Sequence, residues 1–437
     1  MLVMRGLPAA RCYWVAYSGG LDSTALLLAL SQQREALSGR LCAVHVNHHI
    51  NPAADSWQLH CQRVCDALHI PLDCKSVKVV AVKGHSLEAI ARQQRYKAFR
   101  EIVNEDDILL LAHHLNDQME TFLLQALRGA GPRGLAAMPV IAAFNAGKVA
   151  RPLLSFTRAE IKAWADLEKV SWLEDPSNSD TRFDRNYLRT HVIPEMLQRW
   201  PSAPATISRS AAHCSETLEL LAELANQDLA SSRAGQGPGL AVAAVRELSP
   251  IRAKNLLRHW LAHQQLPLPP SHKLEQILRE VLLARAPRNP CVAWAGAEVR
   301  RYRGCLYALQ PLPPVPSGEL NLRQEQPVNL GAGLGSILLV SSSEGQRLRA
   351  DIPQQGFQLR FRVGGEICKP AGRAHHRPLK KWLQEFKVVP WMRGRIPLIY
   401  DSDRLVAVAG LFVCAPYAAV NDEPGFRIHW EPHPLLM

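Results

Sequence analysis

A chain of 437 residues, 47% of them hydrophobic, is longer than one hydrophobic core usually organises and can bury more than one. Its net charge of +12 and pI near 9.4 favour a polyanionic partner, nucleic acid foremost. No apolar run approaches the roughly 20 residues that span a bilayer, and no basic amphipathic stretch stands out, so a membrane role is not expected.

Met1–Gly6 carries no long apolar segment ahead of a small-residue cleavage site, so a cytoplasmic location with reduced thiols is expected. The ten cysteines include no CxxC pair. The closest two, Cys61 and Cys65, stand i,i+4 on a predicted helix, a spacing that suits buried thiols better than zinc or iron–sulfur ligands.

In chain order, Cys12 to Tyr17 reads as a strand and a helix opens near Asp22. The alternation continues with strand Leu41 to Val46, helix Ala54 to Leu68, strand Leu72 to Val80, helix Ser86 to Asn104, strand Ile108 to Ala112 and helix Asn116 to Leu127. Strands apolar on both faces, each followed by a helix, predict a doubly wound parallel α/β sheet that binds its ligand at the carboxyl ends of the strands. Thr157-Arg158-Ala159-Glu160 has capping-box spacing and opens a helix to about Lys169. A polar loop, Glu174 to Arg185, and a leucine-rich helix, Pro201 to Ala230, precede the cluster Gly235 to Gly239. Helices Pro250 to His263 and His272 to Ala284, a hairpin around Val292 to Leu309, a linker Pro311 to Pro316 and a small α+β unit complete the chain. The predicted domains are 1–215, 216–315 (mainly helical) and 350–437.

The sharpest motif is Ser18-Gly19-Gly20-Leu21-Asp22-Ser23, between an apolar strand and a helix. Glycines let the backbone approach phosphate oxygens, the helix start presents unpaired N–H groups, and Ser18 and Ser23 add hydroxyls. It is neither the lysine-bearing GxxxxGK[ST] loop nor GxGxxG. An aspartate among phosphate donors is repelled unless Mg²⁺ bridges the two, so Asp22 reads as a metal-organising carboxylate. A glycine turn with an ordinary helix cap is the plainer alternative, and the full hexapeptide in this setting argues against it.

The second constellation is His113-His114-Leu115-Asn116-Asp117-Gln118-Met119-Glu120-Thr121. Asn116 is expected to cap the helix, leaving Asp117 and Glu120 on one face, able to coordinate a cation, hold an ammonium group or accept a proton. Taken alone, they equally suit first-turn acids favoured by the helix dipole.

The loop Ser18 to Ser23, Val44 to His49, Arg92-Gln93-Gln94-Arg95-Tyr96 and His113 to Thr121 together resemble the N-type ATP pyrophosphatases. Arg151 to Leu154, Trp172 to Asn178, Arg185 to Arg189, Leu379 to Trp382 and Val389 to Trp391 narrow the resemblance to the tRNA(Ile)-lysidine synthases. That resemblance implies a PP-loop catalytic domain. Its reaction would have ATP adenylate the C2 oxygen of the wobble cytidine of CAU-anticodon tRNA(Ile), and L-lysine would then displace AMP. It places Ser18 to Ser23 on the phosphates, with Asp22 catalytic, and Asp117, Glu120 and Arg189 on lysine and cytidine. Asn116 stands where many members carry an aspartate. Arg92 and Arg95 suit phosphate, RNA or a solvated face, and the resemblance assigns no metal to His45, His48, His49, His113 or His114. A thiolase on this fold acting on cytidine would carry CxxC pairs, and an amidotransferase a glutaminase domain.

Between Arg360 and Arg395 ten Lys/Arg face two acids, Glu366 and Glu385, with Phe361, Trp382, Phe386 and Trp391 interleaved. The aromatics are expected mostly to form a small core, which leaves the charge as the RNA-facing signal and makes 350–437 the expected tRNA-binding domain.

Overall fold

The computed structural model describes residues 6–80, 87–174, 180–235, 237–283, 289–315, 317–331, 333–350, 356–420 and 423–431. Ser86, Asp175 to Asn178, Gln236, Ala284 and Pro316, which figure in the sequence reading, lie outside the described residues. Two compact units divide the chain, Met1–Leu221 and Ala222–Met437.

The first unit is built on strands β1 (Cys12–Ala16), β2 (Arg40–Asn47), β3 (Leu72–Ser76), β4 (Asp107–Leu110), β5 (Ile141–Phe144) and β6 (Gly147–Ala150), in the order β3-β2-β1-β4-β6-β5. All neighbours pair in parallel except β5 with β6, an antiparallel edge hairpin for which the sequence reading had no counterpart. Helices α1 (Leu21–Gln32), α2 (Ala54–Ala67), α3 (Leu87–Ile102) and α4 (Leu115–Leu127) follow the first four strands in turn. The predicted doubly wound sheet is present.

Both faces of this sheet are apolar because both are covered. Val15, Ile108 and Leu110 pack in one cluster with Leu26, Leu27 and Leu30 of α1 and Cys61 and Cys65 of α2. Leu109, Leu111 and Val149 pack on the other side with Phe99 and Ile102 of α3. Each fully buried Leu contributes roughly 1.5–3 kcal/mol of transfer free energy. The chain runs β1 to β3 in one direction and resumes at β4 on the other side of β1, so the loops after β1 and β4 diverge across a crevice at the carboxyl edge.

Helix α5 (Arg158–Leu167) begins at Thr157, whose hydroxyl accepts from Glu160 N while Glu160 closes the predicted capping box. Three consecutive helical segments follow, α6 (Asp184–Tyr187), a π-helical α7 (Leu188–Val192) and α8 (Ile193–Arg199), before the long α9 (Ala203–Ser232).

In the second unit, helix Pro250–His263 packs with Ser271–Gln276 onto antiparallel strands Cys291–Trp294, Ala297–Tyr302 and Cys305–Leu309, giving one strand more than the predicted hairpin. Further on, a five-stranded antiparallel sheet begins at Leu320–Leu322 and a four-stranded one contains Ser336–Ser342 paired along Gly425–Glu431. Leu322, Ile337 and Leu339 therefore share a core with Leu398, Val406 and Trp430. The sheets draw in residues well ahead of position 350. No described helix is long and apolar enough to cross a membrane.

Candidate active site

The loop from β1 to α1 is shaped by Gly19, which sits at φ +83° and whose added Cβ would fall 2.9 Å from Leu173 Cδ1 and 3.0 Å from Cys61 Sγ. Leu173 N donates to Gly19 O at 2.9 Å, so the described part of the Trp172 motif braces this loop. Gly20 is the N-cap of α1 and offers no side-chain cap, which leaves the first-turn amides of Leu21, Asp22 and Ser23 without a partner from the helix itself. Ser18 Oγ and Ser23 Oγ stand 3.0 Å apart, and Ser23 and Thr24 hydroxyls both donate to Gly20 O. Hydroxyls and amides thus converge where a phosphate chain would lie.

Asp22 is the single acid of this loop. Its Oδ1 is buried with no hydrogen-bond partner, while Oδ2 stands 3.8 Å from His114 Nε2. Burial pushes its carboxyl above the ordinary range, and the nearby His114 imidazole and the Arg158 charge offset this in part. A desolvated carboxylate oxygen beside phosphate donors has the chemistry of a hard-cation ligand, so these residues fit the implied Mg²⁺.

Across the crevice, α4 starts one residue earlier than predicted. The cap is His114: its Nδ1 accepts from Asp117 N at 3.3 Å, and Asp117 Oδ2 accepts from His114 N at 3.0 Å. Asn116, expected as the cap, instead accepts from Arg158 N at 2.9 Å and joins α4 to α5. With Nδ1 accepting, His114 carries its proton on Nε2, 3.4 Å from Asp117 Oδ2 and facing Asp22. One imidazole thereby links the two loops that the fold brings together.

Asp117 and Glu120 do share a face, and both are held by arginines of the α6–α7 stretch. Arg185 Nε donates to Glu120 Oε2 at 2.6 Å and its Nη2 to Asp117 Oδ1 at 3.0 Å. Arg189 Nε donates to Glu120 Oε1 at 2.7 Å, and its Nη2 lies 3.2 Å from Asp117 Oδ1. Two carboxylates and two guanidiniums balance in charge, with the Glu120 side chain only 1% exposed. Burial pushes Asp117 up, but His114, Arg185 and His113 together hold it below the usual carboxylate range. Burial also pulls Arg189 down, and its hydrogen bond to Glu120 together with the charges of Glu120, Asp117 and Asp22 outweighs that.

Three family models cover most of the chain: the PP-loop domain at residues 3–196, the TilS substrate binding domain at 240–307 and the TilS substrate C-terminal domain at 357–430. The tRNA(Ile)-lysidine synthase of Coxiella burnetii is 40% identical over 96% of this chain and 93% of its own, and that of Alkalilimnicola ehrlichii 41% identical over 98% and 95%. The chain belongs to the tRNA(Ile)-lysidine synthase family. The family is an enzyme family built on an ATP-binding PP-loop domain, and the expected fold and resemblance both hold. Among solved structures, the U34-tRNA thiolase NcsA from Methanococcus maripaludis matches 48% of this chain and 74% of its own at 16% identity and a TM-score of 0.41.

For this member of the family, the structure adds two residues to those read from sequence. Among the histidines named in the sequence, His114 is set apart by its place three residues before Asp117, which matches capping-box spacing. Arg185, the first residue of the Arg185 to Arg189 motif, stands i,i+4 from Arg189 and shares its contact with Asp117. The remaining candidates make other contacts. His45 Nδ1 lies 2.9 Å from Tyr17 O, and His48 Nε2 accepts from Arg95 Nε at 3.2 Å. Arg92 lies over Tyr96, 5.1 Å from the ring centroid. Burial lowers His48 to about 4 and His113 to about 3, so both are neutral at pH 7. All ten cysteines are unpaired, six of them buried, with Cys291 exposed. In the basic stretch, Trp382 lies in the core and Phe361, Phe386 and Trp391 pack against it, as expected.

Proposed function

We propose that this chain ligates L-lysine to C2 of the wobble cytidine, position 34, of tRNA(Ile) bearing a CAU anticodon, which changes its reading from AUG to AUA. The cytidine O2 attacks the α-phosphorus of ATP and pyrophosphate leaves. The lysine ε-amine then adds at C2, the C2–O bond breaks, and AMP carries that oxygen away. A pyrimidine carbonyl oxygen leaves poorly until it bears a phosphoryl group, which is why ATP is spent.

In this reading Ser18, Gly19, Gly20, Leu21 and Ser23 hold the phosphates through hydroxyls and first-turn amides. Asp22 would hold Mg²⁺, which would supply charge neutralisation at the phosphates. Asp117, Glu120, Arg185 and Arg189 position lysine and the cytidine. Asp117, kept ionised by its neighbours, serves better to orient the amine than to take its proton. The carrying observation is the unpartnered, buried Oδ1 of Asp22 beside the phosphate loop, linked through His114 to Asp117 at the same sheet edge. Domain 350–437, with its basic surface, would hold the tRNA.

Radiolabelled lysine supplied with ATP to purified tRNA transcripts tests the reading. Label is expected in the isoleucine species alone, with AMP and pyrophosphate as products. ADP formation, or no label in tRNA, would refute it.

A further inference from the structure

A cleft of about 300 Å³ in the second unit is lined by Arg373, His375, Arg377, Trp382 and Glu385. We propose that this cleft receives one backbone phosphate of RNA, and that Glu385 occupies the phosphate position until RNA displaces it. The proposal rests on the reading of tRNA as substrate.

The two guanidiniums are placed by something other than the acid. Their central carbons lie 5.5 Å (Arg373) and 5.1 Å (Arg377) from the centroid of Trp382. That ring is itself fixed: Trp382 is 2% exposed and its Nε1 donates to Cys368 O at 3.0 Å. Two like charges are thus gathered on one rigid ring, an arrangement that calls for an anion between them.

Glu385 supplies it internally. Arg373 Nη2 stands 2.7 Å from Oε1 and Arg377 Nη1 stands 3.5 Å from Oε2, so each oxygen faces one arginine. Two non-bridging phosphodiester oxygens reproduce that pattern, and forked guanidiniums suit them. The three side chains are 48%, 49% and 39% exposed, and an ion pair so solvated contributes little. Exchange of carboxylate for phosphate therefore costs little. Over residues 373–387 Glu385 is the one acid among Arg373, Arg377, Lys380, Lys381 and Lys387. Because the indole is buried, the cleft offers no face for a base, and the contact positions the backbone without reading sequence.

The test measures binding of the full chain to tRNA transcripts over a KCl titration. The R373Q/R377Q double variant should bind more weakly, with the slope of log K against log[salt] flatter by about 0.7–0.9, the value for one lost phosphate contact. E385Q should bind tRNA about two- to fivefold more tightly, the scale of one exposed charge interaction. E385A should act in the same direction, and an unchanged far-UV circular dichroism spectrum and urea unfolding transition would report intact folding. An unchanged salt slope in the double variant, or unchanged or weaker binding by E385Q and E385A, would overturn the proposal. So would poly-L-glutamate depending on Arg373 and Arg377 where tRNA does not. Since the readout is binding, a chain that shows this slope yet transfers no lysine refutes the reaction and leaves the cleft standing.

Discussion

Two arginine–carboxylate clusters, one in each unit, are made of the same residue types and behave oppositely. In the first unit Glu120 is 1% exposed and meets the partly buried Arg185 and Arg189 at 2.6–2.9 Å. In the second unit Glu385 is 39% exposed between Arg373 and Arg377. Burial makes the first cluster hard to take apart and fixes its geometry, whereas water screens the second and leaves it exchangeable. An ion pair's role is therefore read from its surroundings before its distance.

The largest effect should separate the two clusters directly. Glu120→Ala leaves two partly buried guanidiniums sharing the single carboxylate of Asp117 and should cost about 3–5 kcal/mol in urea denaturation, while Glu385→Ala should stay within about 1 kcal/mol. Similar costs for both would break the comparison. Next, Asp22→Asn keeps shape but removes the charge, and pyrophosphate release with tRNA and lysine should fall about 100-fold or more with tRNA affinity unchanged. Equal loss of tRNA binding would instead make Asp22 structural.

The third prediction concerns removal of the basic region, which should weaken tRNA binding more than ATP binding. Cutting at 350 would sever strand Ser336–Ser342 from Gly425–Glu431, so the cut belongs ahead of Leu320. Filter binding of tRNA beside nucleotide titration reads the outcome, and equal losses would count against it.

The smallest effect is on pH. His113 and His48 are held at about 3 and about 4, below the unfolded value near 6.5, so between these limits the unfolded chain binds more protons. Their contribution to stability is complete above about pH 6.5 and is lost as pH falls toward 4. Asp117, also depressed, keeps its contribution until the pH drops below its unfolded value of about 3.9. The urea midpoint should decline between pH 6.5 and 4, and His113→Gln should flatten that decline. A slope unaltered by the substitution would remove His113 from the account.

Much of the first unit was legible because its signals are local. Apolar runs buried on both faces marked β1, β2 and β4, Thr157 and Glu160 announced the start of α5, and the loop Ser18 to Ser23 stood out against its neighbours. The β5–β6 hairpin was not legible, since Ile141-Ala142-Ala143-Phe144 is short and partly exposed. Nor was the capping of α4: an asparagine is the commoner cap, and only the fold shows that Asn116 is engaged by Arg158 N.

By itself the sequence determined the element types, the phosphate loop and the family, because each is carried by residues close together in the chain. Tertiary structure alone decided that His114 stands between Asp22 and Asp117, that Arg185 joins Arg189 on Glu120, and that Leu322 and Ile337 share a core with Trp430. Those pairings join residues far apart in the chain, and no local propensity encodes which distant partner a side chain will meet.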